Sequence, residues 1–523
     1  MAKLSLLSLS FSLLFLFGGC LAQLGSQQQY LWQDLQQQQQ HRLRAKTDCR
    51  IERLTAQEPS RTYPSEAGFT EFWDRNNEQF ECAGVAAVRN VIQTQGLFLP
   101  HYNSAPQLLY VVQGKLFFPV FLPTAFQIRE TRNCKFVVLI NAGRGLLGIV
   151  IPGCAETFES ETQQGSEGQR RFLDRHQKVR QFRQGDVLAL PAGVTLWFYN
   201  NGDEQIVTVS LLDTANEMNQ LDLKFRNFFL AGNQQSGRQS QGQQEGESQG
   251  KGESENSNIF NGFEDEVLAD AFNVETETIR KLKGQWDRRG RIVRAEKFNV
   301  VFPREEEEEK QRQQGQQGRG GPNGLEETLC TMRFRENLAH PTRADIFNPR
   351  AGRLATLNGQ TLPILNVLQL SAVRGVLYKN ATMAPHWNVN AHSAIYITRG
   401  SSRIQVVGHS GKLVFDGEVK EGQLIIIPQN FVVVKKAGEQ GCEWIAFKTN
   451  DNAMISPLAG RLSAFRSMPI EVVMNAYQIS REEAQNLKYS REESIVFSSS
   501  SSSSRSAKPK SLEYAWDVIK SVM

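Results

Sequence analysis

Short apolar runs that begin after a glycine and end at a proline occur once in each half of the chain. Residues 185–191 read Gly-Asp-Val-Leu-Ala-Leu-Pro, and residues 422–428 read Gly-Gln-Leu-Ile-Ile-Ile-Pro. This pattern is typical of a turn that leads into a short buried strand, which the proline then ends. Further short runs rich in Val, Ile, Phe and Tyr recur between turn residues, for example at 376–380, 394–398, 402–407 and 441–448. Such closely spaced strands favour a β-sandwich or barrel over alternating strands and helices.

A second repeated pattern has helical spacing and follows each strand-rich block. Residues 266–272 read Glu-Val-Leu-Ala-Asp-Ala-Phe, and residues 471–477, offset by 205 positions, read Glu-Val-Val-Met-Asn-Ala-Tyr. Ser480 and Glu483 have the spacing of a capping box, which predicts that a new helix begins there. We therefore predict an all-β fold with appended helices, built as two tandem jelly-roll β-barrels that are each followed by a helical extension.

The first residues have the organisation of a secretory signal peptide. Lys3 supplies a positive charge, and residues 4–17 are apolar except for serines. Small residues precede the predicted cleavage between Ala22 and Gln23. The apolar run is shorter than the roughly 20 residues of a spanning helix, and no later run is long enough, so the mature form is not expected in a membrane.

Several segments lack the apolar surface that would offset their ordering entropy, so they are predicted to be disordered. They are Gln-rich at 27–40, rich in Gln, Gly and Ser at 233–258, Glu-rich and then Gln/Gly-rich at 304–321, and Ser-rich from 498. The resulting organisation is a signal peptide at 1–22, a Gln-rich segment at 23–44, a first barrel at 45–303 with a disordered insertion at 233–258, a linker at 304–323, a second barrel at 324–497 and a tail at 498–523.

Charge and cysteine content narrow the possible partners. The chain has 59 Lys and Arg against 55 Asp and Glu, and the basic residues form no single patch, so a nucleic-acid partner is not expected. Of the seven cysteines, Cys20 leaves with the signal peptide. The remaining six predict disulfides in an oxidising compartment, but their spacing leaves the pairing open. No Cys-x-x-Cys pair is present, so a zinc site is not expected.

Four segments together resemble the legumin-type (11S) seed storage globulins, which belong to the cupin superfamily. They are Pro-Asn-Gly-Leu-Glu-Glu-Thr-Leu-Cys at 322–330, Ile-Pro-Gly-Cys at 151–154, Phe-Leu-Ala-Gly-Asn at 229–233 and Ala-Pro-His-Trp-Asn-Val-Asn-Ala-His at 384–392. The resemblance extends from about residue 23 to residue 497. It implies two cupin barrels and a protein that stores nitrogen and is digested at germination, with neither catalysis nor a cofactor.

The resemblance also implies a sequence of maturation steps. The proprotein would pass through the secretory pathway to the protein storage vacuole of the seed and form homo- or heterotrimers. An asparaginyl endopeptidase would cut between Asn323 and Gly324 into acidic and basic chains, after which trimers would pair into hexamers. Two disulfides are implied, Cys49–Cys82 within the acidic chain and Cys154–Cys330 between the chains.

The physical setting of Asn323 agrees with cleavage, because it ends a Gln/Gly-rich stretch where a protease can hold extended backbone. An Asn-Gly pair can also be merely a turn.

The alternative function is a bicupin metalloenzyme of the oxalate oxidase or decarboxylase type, which holds Mn or Fe with three His and one Glu. In the first barrel the four ligand places hold His101, Asn103, Gln107 and Leu196, and in the second they hold His386, Asn388, Ser393 and Val433. Since one imidazole cannot hold a divalent ion against water, no metal is expected in either barrel.

Two features depart from a simple barrel sequence. Residues 115–143 separate a run ending at Gln113 from a run beginning at Arg144 that resembles its continuation in the family. This apolar insertion, which contains Cys134, is either a retained intron in the gene model or an extended hairpin. Asn380 begins an N-glycosylation sequon, but it falls in the predicted strand at 376–380, so low occupancy is expected.

Overall fold

The computed structural model describes residue 49 and residues 51–74, 76–113, 143–156, 158–159, 174–233, 258–300, 330 and 332–498. The predicted signal peptide, the Gln-rich segment, the insertion at 115–143 except Gly143, most of 233–258, the linker with its cleavage site, and the tail beyond residue 498 lie outside the described residues.

The first half contains fourteen described strands. They are β1 (Arg61–Ser65), β2 (Gly68–Phe72), β3 (Val85–Ile92), β4 (Gly96–Asn103), β5 (Gln107–Gln113), β6 (Arg144–Val150), β7 (Phe158–Glu159), β8 (Arg175–His176), β9 (Val179–Arg183), β10 (Asp186–Leu190), β11 (Thr195–Tyr199), β12 (Ile206–Asp213), β13 (Asn227–Phe229) and β14 (Ile292–Arg294). The second half contributes β15 (Arg335–Asn337), β16 (Ile346–Asn348), β17 (Gly352–Leu357), β18 (Ser371–Leu377), β19 (Thr382–Asn388), β20 (Ser393–Val407), β21 (Leu413–Lys420), β22 (Leu424–Ile427), β23 (Val432–Lys448), β24 (Ile455–Pro457) and β25 (Val496–Phe497).

The helices are short and lie mainly after the strand blocks. They are α1 (Glu78–Ala83), α2 (Asp265–Phe272), α3 (Thr276–Leu282), α4 (Leu365–Leu368), α5 (Ala464–Ser467), α6 (Ile470–Tyr477) and α7 (Arg481–Tyr489), with 3-10 turns at Ile259–Gly262 and Pro341–Arg343. The predicted capping box is confirmed at the start of α7, because the Ser480 hydroxyl accepts from the Glu483 N–H and the Glu483 carboxylate accepts from the Ser480 N–H. No helix in the described part of the chain is long and apolar enough to span a membrane.

Two antiparallel sheets form the first barrel. One has the strand order β1-β2-β3-β12-β5-β10-β15, and the other has the order β13-β4-β11-β6-β9, with β14 paired to β4. The second barrel is one continuous ten-stranded sheet that closes through the long strands β20 and β23. Gly400 makes the bend in β20 possible, since its φ is 72° and a Cβ there would lie 2.2 Å from the Gly441 carbonyl oxygen. The predicted pair of jelly-roll barrels with helical extensions is confirmed.

One predicted strand is too long. The run at 376–380 extends only to Leu377, where β18 ends, and Asn380 lies in the following turn with a φ of 57°. Alternation of apolar residues cannot detect the positive φ at Asn380, although Asn adopts a positive φ more readily than most residues. The sequon is therefore in a half-buried turn rather than in a strand, and the reason given for low occupancy was wrong.

A strand from the second half completes the first barrel. β15 lies beyond the predicted linker, yet it pairs with β10, where Leu188 is opposite Arg335. Phe334 is only 1% exposed and packs in the same core cluster as Leu188. The Phe334 carbonyl also accepts a hydrogen bond of 2.8 Å from the Ala189 N–H. The sheet of the first barrel therefore depends on residues that follow the proposed cleavage site.

A segment from the first half is bound in return by the second barrel. The Leu54 N–H donates to the Val414 carbonyl at 2.9 Å, and Gln57 forms two backbone hydrogen bonds with Leu424 at 2.7 and 2.9 Å. Leu54 is 1% exposed within the apolar cluster of the second barrel. Each barrel is thus held in part by chain from the other half.

Candidate metal centres

The candidate ligand in the first barrel is a packed aromatic side chain. His101, on β4, is buried, and its Nδ1 lies 3.0 Å from the Leu99 carbonyl oxygen. The rings of Phe98 and Phe229 lie 4.8 and 5.5 Å from its centroid. Burial lowers the pKa of His101 to about 4, so the imidazole is neutral at physiological pH.

The other ligand places of the first barrel do not supply ligands of a metalloenzyme. Leu196, at the place where a metalloenzyme would have its last histidine, lies directly opposite His101 in the β4–β11 ladder, and its side chain cannot coordinate. Asn103 and Gln107 are buried neutral amides on β4 and β5. His101 is therefore the one imidazole at the four sequence-predicted places.

The second barrel repeats this arrangement. His386, on β19, lies opposite Val433, on β23, and its Nδ1 is 2.7 Å from the Ala384 carbonyl oxygen. Burial lowers its pKa well below the usual value, and the positive charges of Lys435 and Lys448 lower it further. The places of the second and third ligands hold Asn388 and Ser393, which are both buried.

His392, which lies next to Ser393 in the sequence, hydrogen-bonds to residues outside the ligand places. His392 accepts a hydrogen bond from the Gln429 N–H at its Nδ1, with a distance of 3.2 Å, and its own backbone N–H donates to the Thr449 hydroxyl at 2.9 Å. Within the described ranges, no group of three or more His, Cys, Asp and Glu side chains is arranged to hold a metal ion.

Two buried lysines near His386 were not predicted from the sequence. Lys435 is 4% exposed and Lys448 is 5% exposed, and both project into the second barrel. Burial lowers the pKa of Lys435 to about 8, and it lowers that of Lys448 well below its ordinary value. The available signal was strand periodicity, because Lys435 follows Val433, and Lys448 follows Ala446, at inward-facing positions two residues apart.

The two implied disulfides are present in the structure. Cys49 and Cys82 are bonded with a Cα–Cα distance of 4.9 Å, and Cys154 and Cys330 are bonded with a distance of 5.5 Å. Both distances lie within the normal range for disulfides. Cys442 is a free, buried thiol whose pKa burial raises to about 12, while Cys134 lies outside the described residues.

The fold and these sites define a two-barrel cupin in which each barrel has one imidazole at the four places of a metal site. The Cupin family model matches residues 54–135, 127–236 and 336–485. The chain is 48% identical over 547 residues to an 11S globulin of Juglans nigra, covering 97% of this chain and 99% of the relative. It is also 48% identical to the 11S globulin seed storage protein 1 of Carya illinoinensis, with the same coverage of both chains.

A solved structure of recombinant pro-11S globulin of pumpkin has the same fold. It is 44% identical, with a TM-score of 0.71, and the match covers 87% of this chain and all of that one. The chain belongs to the 11S globulin family of seed storage proteins.

Proposed function

We propose that this 11S globulin serves as a store of nitrogen and amino acids and catalyses no reaction. The observation that carries the proposal is the content of the two barrels, where Leu196 and Val433 stand opposite the retained histidines. In the second barrel, the buried lysines beside His386 would also repel a divalent cation. The oxalate oxidase or decarboxylase alternative lacks the ligands that its chemistry requires.

The test of this proposal is metal content together with activity. We expect the purified protein, after equilibration with excess Mn²⁺ and gel filtration, to retain far less than one Mn per chain and to leave oxalate unchanged. A known bicupin oxalate decarboxylase treated in parallel is the positive control. Stoichiometric Mn with oxalate turnover would overturn the proposal.

We further propose that the chain matures in the secretory pathway, with cleavage between Ala22 and Gln23, and accumulates in the protein storage vacuole. The disulfides Cys49–Cys82 and Cys154–Cys330 support this route, since such bonds form and persist in oxidising compartments.

The second maturation step that we propose is cleavage between Asn323 and Gly324 by an asparaginyl endopeptidase. The predicted limits 45–303 and 324–497 then approximate the folded parts of the acidic and basic chains. Cys330, six residues after Gly324, is bonded to Cys154, so the new chain would be anchored close to its amino end.

We propose trimers of this chain, which pair into hexamers after cleavage. The support is a repeated set of exposed apolar residues on the two helical pairs. Val267 and Val472 are 53% and 48% exposed, and Phe272 and Tyr477 are 51% and 53% exposed, at positions offset by the same 205 residues. Equivalent exposed apolar side chains on two different faces favour a head-to-tail contact, which closes into a ring.

Charge placed on these faces is expected to prevent assembly. The double variant Phe272→Asp and Tyr477→Asp should weaken trimer formation at least about a hundredfold, because burying carboxylates in an apolar contact costs several kcal/mol. Size-exclusion chromatography with light scattering measures the mass. The matched control is Glu277→Ala, which alters an exposed ion pair on α3 and should leave the mass unchanged. A normal trimer from the double variant would exclude these faces as the contact.

A further inference from the structure

Three polar side chains face the interior of the second barrel, and two of them, Asn388 and Ser393, occupy ligand places of the related metalloenzymes. Lys448 Nζ donates to Asn388 Oδ1 at 2.5 Å, and Ser393 lies directly opposite Lys448 in the β20–β23 ladder. Along these strands the residues two positions away, Ala446 and Ile395, belong to the apolar cluster of the second barrel. Since side chains alternate along a strand, Lys448 and Ser393 also face the barrel interior.

Two polar atoms at this place can each donate a hydrogen bond and have no acceptor. Asn388 uses its oxygen for Lys448, and its Nδ2 is buried without a hydrogen-bond partner. The Ser393 hydroxyl is also buried without a partner. Asn388 and Ser393 are each only 1% exposed, so bulk water does not satisfy them. Unsatisfied buried groups of this kind are costly, and a bound acceptor would satisfy them.

The ionisable side chains facing this place are bases, Lys448, Lys435 and His386. The positive charge of Lys435 acts on both Lys448 and His386. Lys435 itself contacts the Met383 sulfur and the Trp444 ring, with no carboxylate in ion-pair contact among the described residues. A buried ammonium without a counterion is strongly disfavoured, so an anion or proton loss must compensate the charge.

We propose that the interior of the second barrel binds one small monovalent anion, such as chloride, between Lys448 Nζ, Asn388 Nδ2 and Ser393 Oγ. The place that holds a cation in metal-dependent relatives of this fold would hold an anion in this protein. A halide suits the donors because it accepts several hydrogen bonds and needs no partner to donate to it. Lys448, Asn388 and Ser393 are at most 5% exposed, so the proposed ion would be enclosed by the barrel.

Crystals of the full chain soaked in sodium bromide test the position of the ion. We expect an anomalous bromide peak within hydrogen-bonding distance of Lys448 Nζ, Asn388 Nδ2 and Ser393 Oγ. A water molecule at this place without anomalous signal would overturn the proposal, because the ammonium would then be compensated by proton loss.

Thermal unfolding tests whether the site is occupied in solution. At constant ionic strength, replacing gluconate with bromide should raise the unfolding temperature by about 3 °C per tenfold increase above the dissociation constant. Lys448→Met and Ser393→Ala should each reduce this dependence, whatever their effect on basal stability. Lys436→Met is the matched control and should keep the wild-type dependence, because Lys436 lies on β23 like Lys448 but is exposed.

Equal bromide dependence in Lys448→Met, Ser393→Ala and the control would overturn the proposal, even with a bromide peak in the crystal, because that result means binding at crystal concentration only. These outcomes are independent of whether the protein is a store, since neither readout involves oxalate, proteolysis or assembly.

Discussion

Replacing Phe334 with alanine is expected to destabilise the first barrel by about 3–5 kcal/mol, although Phe334 lies beyond the proposed cleavage site. The side chain is 1% exposed in the core cluster of that barrel, and the guanidinium carbon of Arg180 lies 4.6 Å from the centroid of the Phe334 ring. Hydrogen exchange measures the effect, because the amides of β10, which lose a packed neighbour, should exchange much faster. Phe347→Ala, at a residue that is 61% exposed, is the control and should have little effect.

Each barrel binds a segment from the other half of the chain, and this predicts how the cleaved protein responds to reduction. Breaking Cys154–Cys330 under native conditions should leave the two chains associated, because β15 remains paired with β10 and Leu54 remains buried in the second barrel. Separation should require denaturant as well as reductant. Dissociation on reduction alone, seen by light scattering, would contradict this account of the interface.

Acid is expected to destabilise the protein through its buried histidines. The folded-state pKa of His101 is about 4, against about 6.5 in the unfolded chain. Below pH 6.5 the unfolded state therefore binds a proton that the folded state does not, so stability falls as the pH decreases toward 4 and is fully retained above 6.5. The contribution of His101 reaches about 3 kcal/mol over this range, since one unit of pKa difference corresponds to about 1.4 kcal/mol.

Denaturant unfolding at several pH values between 7 and 4 measures this term. His101→Gln can keep the hydrogen bond to the Leu99 carbonyl and should flatten the pH dependence, whatever it does to stability at pH 7. His340→Gln, at an exposed position, should reproduce the wild-type slope. An unchanged slope in His101→Gln would mean that burial of this imidazole does not couple folding to pH.

Local patterns in the sequence predicted much of the fold. The runs at 185–191 and 422–428 contain β10 and β22, and the repeats at 266–272 and 471–477 lie within α2 and α6. These predictions succeed because alternation, helical spacing and capping are properties of neighbouring residues.

Features that depend on distant partners were not predictable in the same way. The pairing of β15 with β10 depends on which sheet edge is free, and nothing in residues 335–337 specifies it. The burial of Lys435 and Lys448 was not predicted because lysine is rarely buried, and only the inward phase of β23 indicates it. The absence of a metal-binding side chain opposite His101 and His386 was predictable, since Leu196 and Val433 follow from spacing within a known motif.

We expect the mature protein to be a storage globulin cut once into two chains that the Cys154–Cys330 disulfide joins. Denaturing electrophoresis of the native seed protein with and without reductant, followed by amino-terminal sequencing, measures this directly. One species is expected without reductant and two chains with it, the smaller of which begins at Gly324. A single chain under both conditions, or two chains that separate without reductant, would contradict it.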